Sequence, residues 1–267
     1  MNIIRIDSPE DPRIEAFRDI RERDLTGRRG LFVAEGEVVL RVLASPASLC
    51  RPRAVLLAGN RVAGLADALG AMPADVPVHV APQAVLDGIA GFHLHRGILA
   101  LGEKPPATSL SDRLAALPER ALVILACGIG NHDNMGGVFR NAAAFGADAV
   151  LLDRHCCDPF YRKAIRVSVG AVLRTPMATG LEAEATVEAL KAAGFAVLAM
   201  TPSATRTLEE TPAAPRIAIV LGAEGPGLPP GLIARCTPVG IRMSGGFDSL
   251  NVATAGAVAL HHFARDR

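Results

Sequence analysis

The chain has 267 residues, half of them hydrophobic, with 28 Lys and Arg against 27 Asp and Glu and a formal net charge of +1. That length holds two modest domains or one large one, and the near-neutral balance leaves any grip on a polyanion to local clusters of charge. Five cysteines without Cys-x-x-Cys spacing, no apolar run of membrane-spanning length and no leader-like start predict a reduced, soluble, cytoplasmic protein with no membrane contact.

The first hundred residues alternate short helices and strands. Asp11-Pro12 opens a helix to about residue 23, with proline in its first turn. Strands follow at 31–34, 53–58, 76–80 and 97–101, with helices at 37–43, 62–69 and 82–88 between them. This is a small α/β layer. Pro105 and Pro106 resist both helix and central strand, so 105–118 reads as a linker between a domain at 1–104 and another at 119–267.

The second domain opens on a wholly apolar strand at 121–126, the pattern of a parallel strand covered on both faces. Further strands are expected at 149–152, 195–200, 216–221 and 238–241, with helices at 135–145, 159–173 (capped by Asp158), 185–193 and 249–263. The result is a parallel α/β sheet whose ligand loops lie where its strands end. The last helix is small or apolar on nearly every side, which suits either burial on all sides or packing against a second subunit. His93 with His95, and His261 with His262, lack a partner at ligand spacing, so no metal site is expected.

Three islands carry the chemistry. The first is Asn134-Met135-Gly136-Gly137-Val138-Phe139-Arg140, where a helix starts after a glycine turn. Helix-start N–H groups bind anions, and the Arg140 fork suits phosphate or carboxylate. The second, Leu221-Gly222-Ala223-Glu224-Gly225-Pro226-Gly227-Leu228, follows a strand but lacks the Gly-Lys-Ser/Thr ending of a phosphate-binding loop. In the third, Ile241-Arg242-Met243 leads to Ser249-Leu250-Asn251 at the start of the last helix. Ser249 is the candidate helix cap, and Asn251 needs partners for its amide.

The order and spacing of the three islands resemble the SpoU/TrmH family of RNA ribose 2′-O-methyltransferases, over about residues 120–264. Arg166-Val167-Ser168-Val169-Gly170, with Pro176 beyond, is similar to the family's segment between the first two islands. The stretches 32–37 and 91–100 resemble, more weakly, the small RNA-binding domain attached to many members. The resemblance implies a parallel-sheet domain with a deep trefoil knot, a homodimer, S-adenosylmethionine as cofactor and a ribosomal or transfer RNA substrate. It places Gly222, Ile241 and Leu250 against the cofactor, with Leu221, Glu224, Gly225 and Met243 nearby. It places Asn134, Arg140, Ser249 and Asn251 as the catalytic set around the ribose. Arg242 and Ala253 depart from the family's Pro and Ser, and Asn131-His132 from its Asp-Pro.

A guanidinium holds its proton throughout the physiological range. Arg140 is therefore read as positioning the hydroxyl and stabilising developing negative charge, with the proton leaving late or through Ser249 or water. Arg154, His155, Arg162, Lys163, Arg166 and Arg174 form one basic stretch for RNA, and Arg21, Arg23, Arg28 and Arg29 a second. Two other readings fit the same scaffold: an RNA-binding assembly factor without catalysis, and a base-nitrogen methyltransferase using Asp248 or Glu224 as base.

Overall fold

The computed structural model describes residues 2–18, 30–90, 97–245 and 248–264. In chain order they form β1 (Asn2–Arg5), a 3-10 turn (Pro12–Phe17), β2 (Leu31–Glu35), α1 (Glu37–Ala44), β3 (Arg51–Ala58) and α2 (Ala66–Gly70). Next come β4 (Pro77–Ala81), α3 (Gln83–Ala90), β5 (Ile98–Glu103), α4 (Leu110–Ala115), β6 (Ala121–Ala126), α5 (His132–Ala144) and β7 (Ala149–Asp153). The remainder is α6 (Arg162–Val167), a 3-10 turn (Ala171–Leu173), β8 (Met177–Leu181), α7 (Ala183–Ala192), β9 (Ala196–Met200), β10 (Arg216–Leu221), α8 (Pro230–Ile233), β11 (Thr237–Val239) and α9 (Val252–Ala264). They fall into two compact units, Met1–Pro105 with Asp158–Arg174, and Pro106–Cys157 with Thr175–Arg267.

The first unit is a five-stranded sheet in the order β1-β4-β3-β5-β2, parallel from β1 to β3 and antiparallel across β5. Ile14, Phe17, Leu56, Leu86 and Leu99 build its core. Asp11 accepts the Arg13 N–H at 2.9 Å beside Pro12, as the sequence predicts, and starts the 3-10 turn. The rest of the helix predicted to residue 23, the arginines 21, 23, 28 and 29, and His93 and His95 lie outside the described residues.

The segment 158–174, which interrupts the second unit in sequence, belongs to the first. Phe160 packs on Phe32 with ring centroids 5.3 Å apart, and Lys104 bonds Asp158 at 2.6 Å. Arg162 and Arg166 face the buried Glu35 carboxylate at 3.8 and 3.9 Å. The helix predicted at 159–173 is broken. Asp158 caps only a turn, through the Phe160 N–H at 2.8 Å, and α6 ends where Val169 and Gly170 take φ of +55° and +81°. The Gly170 N–H and the Ser168 hydroxyl both close on the Ile165 carbonyl, at 3.0 and 2.8 Å. A Cβ on Gly170 would stand 3.1 Å from that of Val42, so the left-handed step is held by packing on α1.

The second unit is a six-stranded, wholly parallel sheet in the order β11-β9-β10-β6-β7-β8. Every residue of β6 is buried, which explains its unbroken apolar run. The order reverses where β10 lies beside β6, because the chain moves outward through β7 and β8 before returning on the other side. α5 and α9 pack together closely: a Cβ on Gly137 would lie 2.7 Å from that of Ala253. α4 stands inside the stretch predicted as linker, its first turn held by Ser109, whose hydroxyl accepts the Asp112 N–H at 3.1 Å. Among the described residues, no helix is long and apolar enough to cross a membrane.

Candidate functional site

Because the strands are parallel, the carboxyl ends of β9, β10 and β11 share one edge of the sheet. The loops leaving them enclose a cleft of about 520 Å³. Leu221, Val239, Ile241 and Val252 form apolar lining, while Glu224, Asp248, Ser249 and Asn251 supply the polar groups. The second and third islands thus meet in one place. All seven cofactor residues predicted from the sequence line this cleft: Leu221, Gly222, Glu224, Gly225, Ile241, Met243 and Leu250.

The loop after β10 is tight. The Gly227 N–H bonds the Ala223 carbonyl at 3.0 Å, and Gly225 and Gly227 sit at φ of +81° and +67°. At Gly222 a Cβ would stand 2.5 Å from both the Gly227 carbonyl carbon and the Leu228 nitrogen. Only glycine lets the two limbs of this loop close on each other.

Asn251 ties the three islands together. Its Oδ1 accepts the Ala253 and Thr254 N–H groups at 2.9 and 3.3 Å, so it caps α9. Those backbone groups can only donate, which fixes the amide orientation and turns Nδ2 the other way. Nδ2 donates to Asn134 Oδ1 at 2.8 Å and to Glu224 Oε1 at 3.0 Å. The sequence reading gave the cap to Ser249; the structure gives it to Asn251. Ser249 is exposed on the cleft, its hydroxyl 3.5 Å from Asp248 Oδ1. Asn134 arrives from the other side, buried in the first turn of α5, which begins at His132 behind the Asn131 cap.

Residues 121–261 match the SpoU rRNA Methylase family. The chain belongs to that family. A Mycobacterium tuberculosis relative, named an uncharacterised tRNA/rRNA methyltransferase, is 40% identical over 268 residues, 96% of this chain and 90% of the relative. Among solved structures, one described as an RNA 2′-O ribose methyltransferase superposes with a TM-score of 0.79 and 27% identity, over 99% of both chains. An AdoMet-bound rRNA methyltransferase from Sinorhizobium meliloti shares the fold, with a TM-score of 0.82 at 22% identity over 99% of this chain and 98% of that one.

In this SpoU-family chain the departures from the family pattern have local explanations. Ile241 and Met243 line the cleft, while Arg242 between them is exposed and is not part of the lining. Arg242 lies near Glu210, whose carboxyl is held below its ordinary range by the Thr207 N–H, then the Thr207 hydroxyl, then the Arg242 charge. Ala253 stands against Gly137 and offers its carbonyl to Asn141 Nδ2 at 2.8 Å.

Arg140 is the predicted residue that the structure does not bring in. It is exposed on α5 and does not line the cleft. Six residues beyond Asn134, it stands about 240° around the helix and about 9 Å further along. The predicted basic stretch is also divided. Arg154 and His155 belong to the second unit, where Arg154 pairs with Glu182. Arg162, Lys163, Arg166 and Arg174 belong to the first, and two of them face Glu35. The thiols near the strand ends are no nucleophiles: burial pushes Cys156 up to about 12 and Cys127 higher still. The sequence reading missed Met200, Thr201 and Pro202, which follow β9 and line the cleft. Their position at a parallel strand's carboxyl end was the available signal.

Proposed function

We propose that this protein methylates a ribose 2′-hydroxyl in structured ribosomal or transfer RNA, with S-adenosylmethionine as donor. The observation that carries the reading is the hydrogen-bonded group Asn134–Asn251–Glu224, which joins all three islands at the cleft. The cleft fits the donor: its apolar lining suits an adenine nucleoside, and Glu224 and Asp248 complement a cationic sulfonium and ammonium. Gly222, Ile241 and Leu250 would hold it, with Leu221, Gly225 and Met243 beside them. When bound, it supplies an electrophilic methyl group.

The chain's own work is to orient the hydroxyl and manage its proton. Asn251 is locked by the backbone of α9 and by Asn134, so the polar edge of the cleft is preorganised. Ser249, exposed beside Asp248, is the group that can relay the hydroxyl proton, giving up its own to Asp248 or to water. Arg140, exposed on α5 and outside the cleft, holds the phosphate beside the reacting ribose on RNA laid across that helix face and so positions the hydroxyl. The reading includes a homodimer and the trefoil-knotted path of the family. Supporting the first is Val258, 38% exposed on the apolar α9. The second rests on membership of the family. Residues 1–104 serve as the RNA-binding domain.

The test is calorimetric titration with S-adenosylmethionine, followed by transfer of labelled methyl to total RNA. A 2′-O-methyl removes the nucleophile of alkaline hydrolysis, so the labelled nucleotide should survive in an alkali-resistant dinucleotide. Label released by alkali in a mononucleotide would favour methylation of a base nitrogen, and absence of donor binding would favour the non-catalytic reading. Arg140→Lys should keep measurable turnover and Arg140→Ala should lose it with RNA binding intact.

A further inference from the structure

A second cleft, of about 510 Å³, lies on the same edge of the parallel sheet, at the ends of β6, β7, β8 and β10. It occupies the place where the strand order reverses, β10 beside β6. Open parallel sheets hold ligands in that crevice, yet nothing in the chemistry described so far uses it. Leu181, Pro226 and Leu232 give it apolar walls, and Glu182 and Glu184 stand on it at the start of α7. Asp153 is already engaged, accepting the Gly128 and His155 N–H groups, both at 3.0 Å. Glu182 is held by Arg154.

Ala223 and Gly227 line both clefts. The partition between them is therefore the loop 223–227, closed on itself by the Gly227 N–H. A ligand lying at the polar edge of the first cleft needs to reach over only this loop to enter the second. Arg154 and His155 also line this second cleft, but the Arg154 guanidinium is taken up by Glu182 and by His155 Nε2 at 3.3 Å. Among the described residues the cleft therefore offers a phosphate no uncommitted cation and leaves Glu184 as its unengaged carboxylate. It suits a flat, largely apolar group whose edge carries N–H donors, since ionised carboxylates only accept. Nucleobases have that character, guanine most of all, with neighbouring imino and amino donors.

Building on the proposed ribose methylation, we infer that this second cleft receives the base of the nucleotide being methylated, turned out of its stack, with Glu184 reading its donor edge. The sugar then stays on the Asn134–Asn251 side of the 223–227 loop while the base lies beyond it.

The test uses the full-length protein saturated with S-adenosylhomocysteine, which blocks the first cleft against adenosine. Guanosine, adenosine, cytidine and uridine are titrated while the methyl resonances of Leu181 and Leu232 are followed by NMR. Guanosine should shift them at lower concentration than uridine, and Ala183→Phe, which fills the cleft, should abolish the shifts. The same variant, and the surface change Glu184→Gln, should lower kcat/KM for RNA roughly 10-fold or more, the value of one charge-assisted hydrogen bond. Affinity for S-adenosylmethionine should stay within about twofold in both. Wild-type kcat/KM in a folded Ala183→Phe protein, or in Glu184→Gln if the first fails to fold, would overturn the inference and leave ribose methylation standing. Donor binding by the wild type without transfer to any RNA would remove both together.

Discussion

Asn251 carries two separable loads, and substitution can tell them apart. In Asn251→Ala the Ala253 and Thr254 N–H groups lose their cap, which costs about 1 kcal/mol. Asn134 Oδ1, in a residue only 6% exposed, loses its donor at 2.8 Å, and an orphaned buried acceptor costs about 1–3 kcal/mol. The contact with Glu224 is exposed and adds little. The expected loss is therefore about 2–4 kcal/mol, concentrated where α9 meets α5. Asn251→Ser keeps a capping oxygen but is too short to reach Asn134, so it should recover about 1 kcal/mol of that loss. Hydrogen exchange of the α9 and α5 amides, read by mass spectrometry, localises the effect, and urea midpoints give its size. Donor affinity should fall in both variants, because the bridge to Asn134 is lost in both. An alanine variant within about 0.5 kcal/mol of the wild type, or a serine variant no better than alanine, would refute the two-load account.

Gly222→Ala needs about 0.9 Å of backbone movement to turn a 2.5 Å approach into the 3.4 Å of ordinary contact. Overpacking of that kind costs about 1–3 kcal/mol, so S-adenosylmethionine affinity should drop roughly 5- to 150-fold with unchanged circular dichroism; full affinity would contradict the closed loop. His79, buried on β4 with Nδ1 lacking a hydrogen-bond partner among the described residues, has its pKa pushed down by burial and then by the Arg13 charge, with Asp11 opposing. The unfolded chain then binds more protons than the folded one, so His79 costs stability as pH falls from its ordinary value near 6.5 toward the depressed folded value. His79→Gln should flatten the urea midpoint across that window, and an unchanged slope would disprove the assignment. Cys50 and Cys156, both raised to about 12 by burial, should resist iodoacetamide at pH 8 until the protein is unfolded. Alkylation of either at the rate of a free thiol would show the burial to be wrong.

The central strands of the second unit's sheet were legible because they are buried, so 121–126 and 216–221 read as strands with their observed ends, but the edge strand β8, Met177–Leu181, is only partly buried and was not expected. β1 and α8 were not legible: Asn2–Arg5 carries polar residues at both ends, and Pro230–Ile233 is a single turn among prolines. α4 did leave a signal, Ser109 three residues before Asp112, but the prolines ahead of it argued for a linker. The break at Val169 could not be read from propensity, because a β-branched residue avoids left-handed backbone and the turn is held by the bonds of Ser168 and Gly170 to the Ile165 carbonyl and by the packing of Gly170 on Val42. For the site, the second and third islands marked residues that line the cleft, while of the first island Asn134 reaches it only through Asn251 and Arg140 lies outside it. The choice between Ser249 and Asn251 as cap was beyond the sequence, because both are good capping residues and only the position of α9 decides.

The placement of 158–174 also bears on how the protein is made. On the ribosome the amino-terminal unit emerges first, but Phe32, Glu35 and Leu49 meet their partners Phe160, Arg162, Arg166 and Leu173 only after the first two strands of the next sheet, β6 and β7, have been made. Roughly 70 residues separate Pro105 from Arg174, which at about 5–20 residues per second is a wait of about 4–14 s. During that interval Phe32 has no Phe160 over it and Glu35 no arginines. Neither unit can be finished before the other has begun, so cutting the gene at residue 105 would yield two incomplete pieces rather than two domains.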